Sequence, residues 1–157
     1  MLRFYCYFKE SVVESRLENF RVRKLVLLYF IEDHTVMICE PKEVNSGTPQ
    51  GNFLKRRMLL KEDGSGKPIL PFDLKIGEDV TILGRQVRIC DCDEYTRDFY
   101  TTHKKPQGKA QQVPVDSFAQ SKIKGPVFRD TDLKEFMEKS LGGGRVPSQK
   151  QFLDNDR

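Results

Sequence analysis

The stretch Ile89-Cys90-Asp91-Cys92-Asp93-Glu94-Tyr95-Thr96-Arg97-Asp98-Phe99-Tyr100 changes its hydrophobic period halfway along. Val87 and Ile89 alternate with Arg88 and Cys90, the pattern of a strand with one buried face. Asp91 or Asp93 can then cap a helix by accepting backbone N–H bonds, and Tyr95, Phe99 and Tyr100 follow at helical spacing. A sheet that ends in a capped aromatic helix, with no catalytic constellation beside it, predicts a compact binding module.

Upstream, the chain reads as strands and turns. Leu2, Phe4, Cys6 and Phe8 alternate with Arg3, Tyr5 and Tyr7, a first strand over residues 2–8. A charged connection over 9–20 leads into the clearest hairpin, 22–31 and 35–40, which turns at Glu32-Asp33-His34 and is stopped by Pro41. Asn45-Ser46-Gly47 reads as a turn with Gly47 in the left-handed conformation. A strand over 53–61 follows, then a turn at Asp63-Gly64-Ser65-Gly66 and an edge segment over 67–72 limited by Pro68 and Pro71. The last hairpin, 79–83 with 85–91, turns around Gly84. These are about six or seven antiparallel strands and one closing helix, a mainly β fold that strand counting leaves open among barrel, sandwich and bent double sheet.

The 157 residues allow one ordinary domain and a tail. Their 27 basic and 23 acidic residues give a net charge of +4, too mixed for a dedicated nucleic-acid binder. The longest apolar run, 25–31, is strand-sized and excludes a helical membrane span. Met1 leads straight into the first strand, so no secretory leader is expected. Cys6, Cys39, Cys90 and Cys92 all fall in strands, with Cys90 and Cys92 expected on one face, and they read as small reduced core thiols.

Sites of chemistry are not found. Asp63-Gly64-Ser65-Gly66-Lys67-Pro68 lacks the phosphate-loop spacing and places proline where a helix must begin. Gly142-Gly143-Gly144 follows a helical pattern rather than opening one. Neither Asp91, Asp93 and Glu94 nor Asp154 and Asp156 continue into a calcium loop. His34 at a turn tip and His103 at a helix end give little scope for acid–base catalysis. The expectation is a non-enzyme with no cofactor or metal.

The segments Leu2-Arg3-Phe4-Tyr5-Cys6-Tyr7-Phe8, the hairpin from Leu25 through Pro41, the phrase from Val44 through Leu59 and the stretch from Ile89 through Tyr100 together resemble the DM-10 domain family. The chain is most similar to the first of the three copies in myoclonin-type EF-hand proteins of ciliary protofilament ribbons. That resemblance implies a pleckstrin-homology-like bent sheet closed by a C-terminal helix. It implies a domain over 1–104 and an interdomain linker over 105–157, in which Leu133, Phe136 and Met137 line a short helix near 131–140. It further implies a structural role in the doublet-microtubule lumen of a cilium or flagellum. There the partners would be tubulin, neighbouring lumenal proteins and adjacent DM-10 domains. The family's calcium-binding elements lie outside these residues.

The residues that could meet an acidic partner are Lys55, Arg56 and Arg57 on one strand, Arg21, Arg23 and Lys24 at the start of the long hairpin, and Arg85 and Arg88 in the last one. Alternation sends Lys55 and Arg57 to one face and Arg56 to the other. Any one of them singly is accounted for by a solvated face or edge protection. The aromatic residues, Tyr5, Tyr7 and Tyr95 among them, read mostly as core. Residues 25–31 are apolar on both faces, so the tail or a partner must cover the second. Two other readings compete. Pleckstrin-type phosphoinositide binding needs a basic first hairpin, where this chain places Glu10, Glu14 and Glu18. A docking module for an enzyme partner is the third.

Overall fold

In the computed structural model, which describes residues 1–14, 16 and 18–123, six antiparallel strands form one curled half-barrel sheet followed by a helix. The strands are β1 (Leu2–Ser11), β2 (Phe20–Phe30), β3 (Thr35–Glu40), β4 (Gly51–Met58), β5 (Asp79–Ile82) and β6 (Arg85–Cys92). Their order across the sheet is β4-β3-β2-β1-β6-β5. Two helices follow, α1 (Glu94–Thr102) and α2 (Ser117–Ile123). Met1–Gln120 is one compact unit, and Ser121–Arg157 is a second, of which only 121–123 are described. The helix expected near 131–140 lies outside the described residues.

Alternation builds the concave face. Leu2, Phe4, Cys6 and Phe8 of β1 and Leu25, Leu27 and Tyr29 of β2 are buried in one cluster with Val36, Ile38, Val87 and Ile89. Each such large side chain contributes about 1.5–3 kcal/mol on leaving water, more than an exposed ion pair at about 0–1 kcal/mol. Apolar burial therefore sets the register of the long β1–β2 ladder, which runs from Leu2 opposite Tyr29 to Ser11 opposite Phe20. The convex side of β2 carries half-buried Val26, Leu28 and Phe30, and the Arg56 guanidinium lies 3.8 Å from the Phe30 ring centroid.

The β1–β6 seam contains a bulge. Tyr5 pairs with Asp91 while Cys6 pairs with Ile89, which leaves Cys90 as the extra residue. The bulge resets the phase of β6. Cys92 enters the core cluster and Cys90 does not, so the expected common face for the two thiols does not form. Cys90 instead points its thiol at the Tyr5 carbonyl, 3.0 Å away.

Beyond Cys92 the ladder passes directly into the helix. Asp93 donates its N–H to the Arg3 carbonyl at 3.2 Å, and the Arg3 N–H donates to Thr96 Oγ1 at 2.9 Å. Of the two candidate caps, Asp93 is the one used; its Oδ1 accepts from the Thr96 N–H at 3.0 Å. Asp91 pairs with Arg97 at 2.7 Å. The helix buries Thr96 and Tyr100 and leaves Tyr95 60% exposed, contrary to its expected core role. Thr96 and Tyr100 stand four apart on one face, and Tyr95 is off it. Tyr5, at 39% exposure, is likewise not core.

Two tyrosine hydroxyls hold the excursion between β4 and β5. Tyr29 donates to the Ile69 carbonyl at 3.1 Å, and Tyr100 donates to the Pro71 carbonyl. Residues 67–72 therefore do not form the expected edge strand. A single bridge pairs Leu60 with Pro68, and a 3-10 turn, Pro71–Asp73, follows because the two prolines cannot donate to a ladder. Asp73 closes that turn by accepting from the Leu70 N–H at 2.8 Å and from Lys61 Nζ at 2.7 Å.

Replacing Tyr100 by Phe removes one of the two donors to the Pro71 carbonyl, which keeps the Leu74 N–H at 3.1 Å, and we expect a loss of about 0.5–1.5 kcal/mol in urea unfolding. Asp93→Ala should cost about 1 kcal/mol through the lost cap. Partial burial pushes the Asp73 carboxyl up, but Lys61 and the Leu70 amide outweigh it, so its folded pKa lies below the ordinary value. A depressed folded pKa stabilises above the unfolded value, about pH 4, and the gain disappears as pH falls through the folded value. The urea midpoint of the natural sequence should fall more steeply below about pH 4 than that of Asp73→Asn.

Candidate interaction surface

The cations singled out by sequence divide into two groups. Arg23 belongs to the fold. Its side chain is 15% exposed and meets Glu40, itself 7% exposed, through Nε at 2.9 Å and through Nη2. It also reaches Glu10 at 3.0 Å and lies over the Phe8 ring. Hydrogen bonding from Glu40 raises its pKa against the opposing effect of burial, and Glu10 adds to the rise. Arg21 pairs with Glu18 at 3.0 Å and stacks on Phe118. Lys24 pairs with Glu43 at 3.1 Å at an exposed site. Arg56 pairs with Asp33 at 2.6 Å, and Arg88 donates to Gly77 O at 3.1 Å and to Asp79 at 3.4 Å.

Lys55, Arg57 and Arg85 form the second group. All three are exposed, and none has a carboxylate partner among the described residues. Lys55-Arg56-Arg57 lies in an irregular part of the ladder, where the β3–β4 register shifts twice between Val36 and Cys39. Arg57 is the register partner of the core residue Val36, whereas Arg56 turns back onto Phe30. The free side of β4 faces the β5–β6 tip. Arg57 and Leu83 line one cavity of about 400 Å³, and Arg85 lies over both Phe8 and Phe53 at 5.1 and 5.4 Å from the ring centroids. Arg57 and Arg85 thus mark the open side of the half-barrel, and Lys55 is exposed on the same strand as Arg57.

Sequence reasoning missed the return of the chain after α1. Gln107 Nε2 donates to the Leu74 carbonyl at 2.9 Å, and the Gln111 N–H donates to the Cys90 carbonyl at 2.8 Å. Asp116, 5% exposed, accepts from the Val22 N–H and from the Ala119 N–H, each at 2.7 Å, and so caps α2 while fastening it to β2. An aspartate followed by a short non-proline run was the available signal. With no periodicity behind it, it carried little weight.

The thiols are poor ligands. Burial raises the pKa of Cys6, with Cys90 adding to it, and burial likewise raises Cys90 and Cys92. They are held protonated near neutral pH. With the Tyr29 proton on Ile69, His34 donates from Nδ1 to the Tyr29 hydroxyl oxygen at 2.9 Å, and His103 lies against the Phe99 ring and carbonyl. Among the described residues no three ligating side chains converge on a metal position. No helix among them is long and apolar enough to cross a membrane.

The half-barrel, whose first strand, second hairpin and capped aromatic helix carry the matched motifs, defines a class of mainly β domain. The chain belongs to the DM10 domain family, which matches residues 1–96. It is 32% identical over its whole length to EF-hand domain-containing protein 1 of Mus musculus and covers 22% of that protein. The human protein of the same name is 30% identical over the whole chain, with 23% of it covered. EF-hand domain-containing family member C2 of Danio rerio is 35% identical over 63% of the chain and 13% of its own length. The chain thus spans less than a quarter of the curated relatives it matches.

Arg23→Met strands Glu40 and should cost about 3 kcal/mol in urea unfolding. The double variant Lys55→Glu with Arg57→Glu breaks no ion pair among the described residues and should shift stability by no more than about 0.5 kcal/mol per site.

Proposed function

We propose that this chain is a non-enzymatic structural module of a ciliary or flagellar doublet-microtubule inner protein. It binds tubulin and neighbouring lumenal proteins and so stabilises the protofilament ribbon. Family membership supports the setting, and the observation that carries the contact is the cationic rim of Lys55, Arg57 and Arg85, exposed and without a carboxylate partner among the described residues. Cations already paired inside the protein add little to a new contact. Free ones on an acidic surface raise the association rate and make binding salt-dependent. The domain spans 1–104 and the linker 105–157. Each copy contributes a modest affinity, and tandem domains in a longer chain act together through effective concentration. The remaining candidates, Arg21, Arg23, Lys24, Arg56 and Arg88, act indirectly by holding the surface in shape.

Co-sedimentation with assembled microtubules tests this reading. The full 157-residue chain should pellet in low salt and less in high salt. The double variant Lys55→Glu with Arg57→Glu should pellet several-fold less while keeping its urea midpoint. Equal pelleting of variant and natural sequence would overturn the assignment of the rim.

A further inference from the structure

The seam between β1 and β6 closes over only part of its length. Pairing ends at Tyr7 opposite Arg88, yet β1 continues to Ser11 and β6 begins at Arg85. Between these unpaired ends lies a groove of about 690 Å³, within the roughly 300–1,000 Å³ of ordinary binding clefts.

The backbone lining this groove has a defined polarity. The Val12 N–H bonds to Asn19 O, so even-numbered residues at this end of β1 point their peptide groups at β2. Lys9 and Ser11 therefore point theirs the other way, into the groove. The Arg3 carbonyl, which accepts from Asp93 on that same side, fits this phase. On the opposite wall Ile89 exchanges bonds with Gly77 and Glu78 on the β5 side, so Gln86 turns its peptide groups toward β1.

Charge then selects what can add there. Arg85 lies over Phe8 on the concave side, and Lys9 Nζ lies over the Phe20 ring at 5.2 Å. Neither has a carboxylate partner among the described residues, whereas Glu10 and Asp79 at the same groove are already paired with Arg23 and Arg88. A guanidinium held on aromatic faces retains its in-plane N–H donors, which suits a carboxylate.

We propose that this groove takes an extended acidic segment of a partner protein, added as a strand along Lys9–Ser11. Its backbone would pair with the peptide groups of Lys9 and Ser11. Successive side chains of a strand point to opposite faces, so two consecutive acids would meet Arg85 on one side and Lys9 on the other. This site goes beyond the microtubule contact and shares only Arg85 with its proposed rim; Lys55 and Arg57, which take no part here, separate the two.

The probe is the peptide acetyl-Val-Thr-Glu-Glu-Thr-Val-amide, added to the full chain and followed by isothermal titration calorimetry and by amide NMR. Saturable binding is expected, with the amides of Lys9, Ser11 and Gln86 shifted and those of Lys9 and Ser11 protected from exchange. Changing Glu-Glu to Gln-Gln in the peptide, or Arg85→Gln in the protein, should weaken binding about tenfold. A peptide of the same charge with proline replacing both threonines should not bind, because it cannot complete the ladder. Lys55→Glu with Arg57→Glu should leave the affinity unchanged, which separates this site from the microtubule rim. Arg85→Gln is matched to the natural chain by its urea midpoint, and Arg85→Lys serves as a second variant that keeps the charge. No binding, equal binding of the proline peptide, or indifference to Arg85→Gln would each overturn the proposal. Binding of inositol hexakisphosphate without the peptide would also overturn it, since it would mark an anion site and not a strand site.

Discussion

The Tyr100 side chain is the point on which three parts of the molecule converge. Its ring meets Phe4 of β1, Phe72 of the 3-10 turn and Phe99 of its own helix edge to face, and its hydroxyl serves the Pro71 carbonyl. Burial pushes the pKa of that phenol up. At neutral pH the hydroxyl keeps its proton and donates it to the loop. The helix, the first strand and the long excursion are thus fixed by one side chain. Tyr29 repeats the arrangement two residues away along the excursion, at Ile69. These two donors tie the segment between β4 and β5 to the core, at Pro71 in addition to the Leu74 N–H that the same carbonyl accepts from.

The treatment of positive charge follows the same economy of partners. Where a guanidinium is buried it has carboxylates, as Arg23 has Glu40 and Glu10. Where it is exposed it is often laid on a ring: Arg56 on Phe30, Arg21 on Phe118, Arg85 on Phe8 and Phe53. Stacking shields aromatic area from water and fixes the cation at a small entropic cost, and it leaves the in-plane donors open. A basic run in the sequence therefore does not translate into a basic patch. Arg56 and Arg57 are neighbours in the chain, yet one is tied to Asp33 and the other has no carboxylate partner among the described residues.

The strands and the capped helix were legible because period two and period three-to-four patterns are local. Leu2 through Phe8, the hairpin at Glu32-Asp33-His34 and the turn at Gly84 stand where the pattern puts them. The bulges were not legible. An extra residue such as Cys90 is defined by what its partner strand omits, so no pattern within β6 can reveal it. The same holds for the register shifts in β4 opposite Val36 through Cys39. The use of each cation was also beyond local reading. Arg23 finds Glu40 across the sheet, and a sequence separation of 17 hides the pair. The return of residues 105–116 is a matter of single hydrogen bonds, with no apolar rhythm to announce it.

Asp116 has a mechanical consequence. The chain does not leave the half-barrel at the end of α1; it is stitched to β6 at Cys90 and then to β2 at Val22 before α2 begins. Tension applied from beyond Gln120 would first load the Asp116 carboxylate and its bond to Val22. Through them it would be shared with the ten-pair ladder of β1 and β2, and the helix would not be peeled away from its end. Such a load path places strain on the part of the domain with the most cross-strand pairs. The short segment with little pattern of its own thereby sets where force enters the fold.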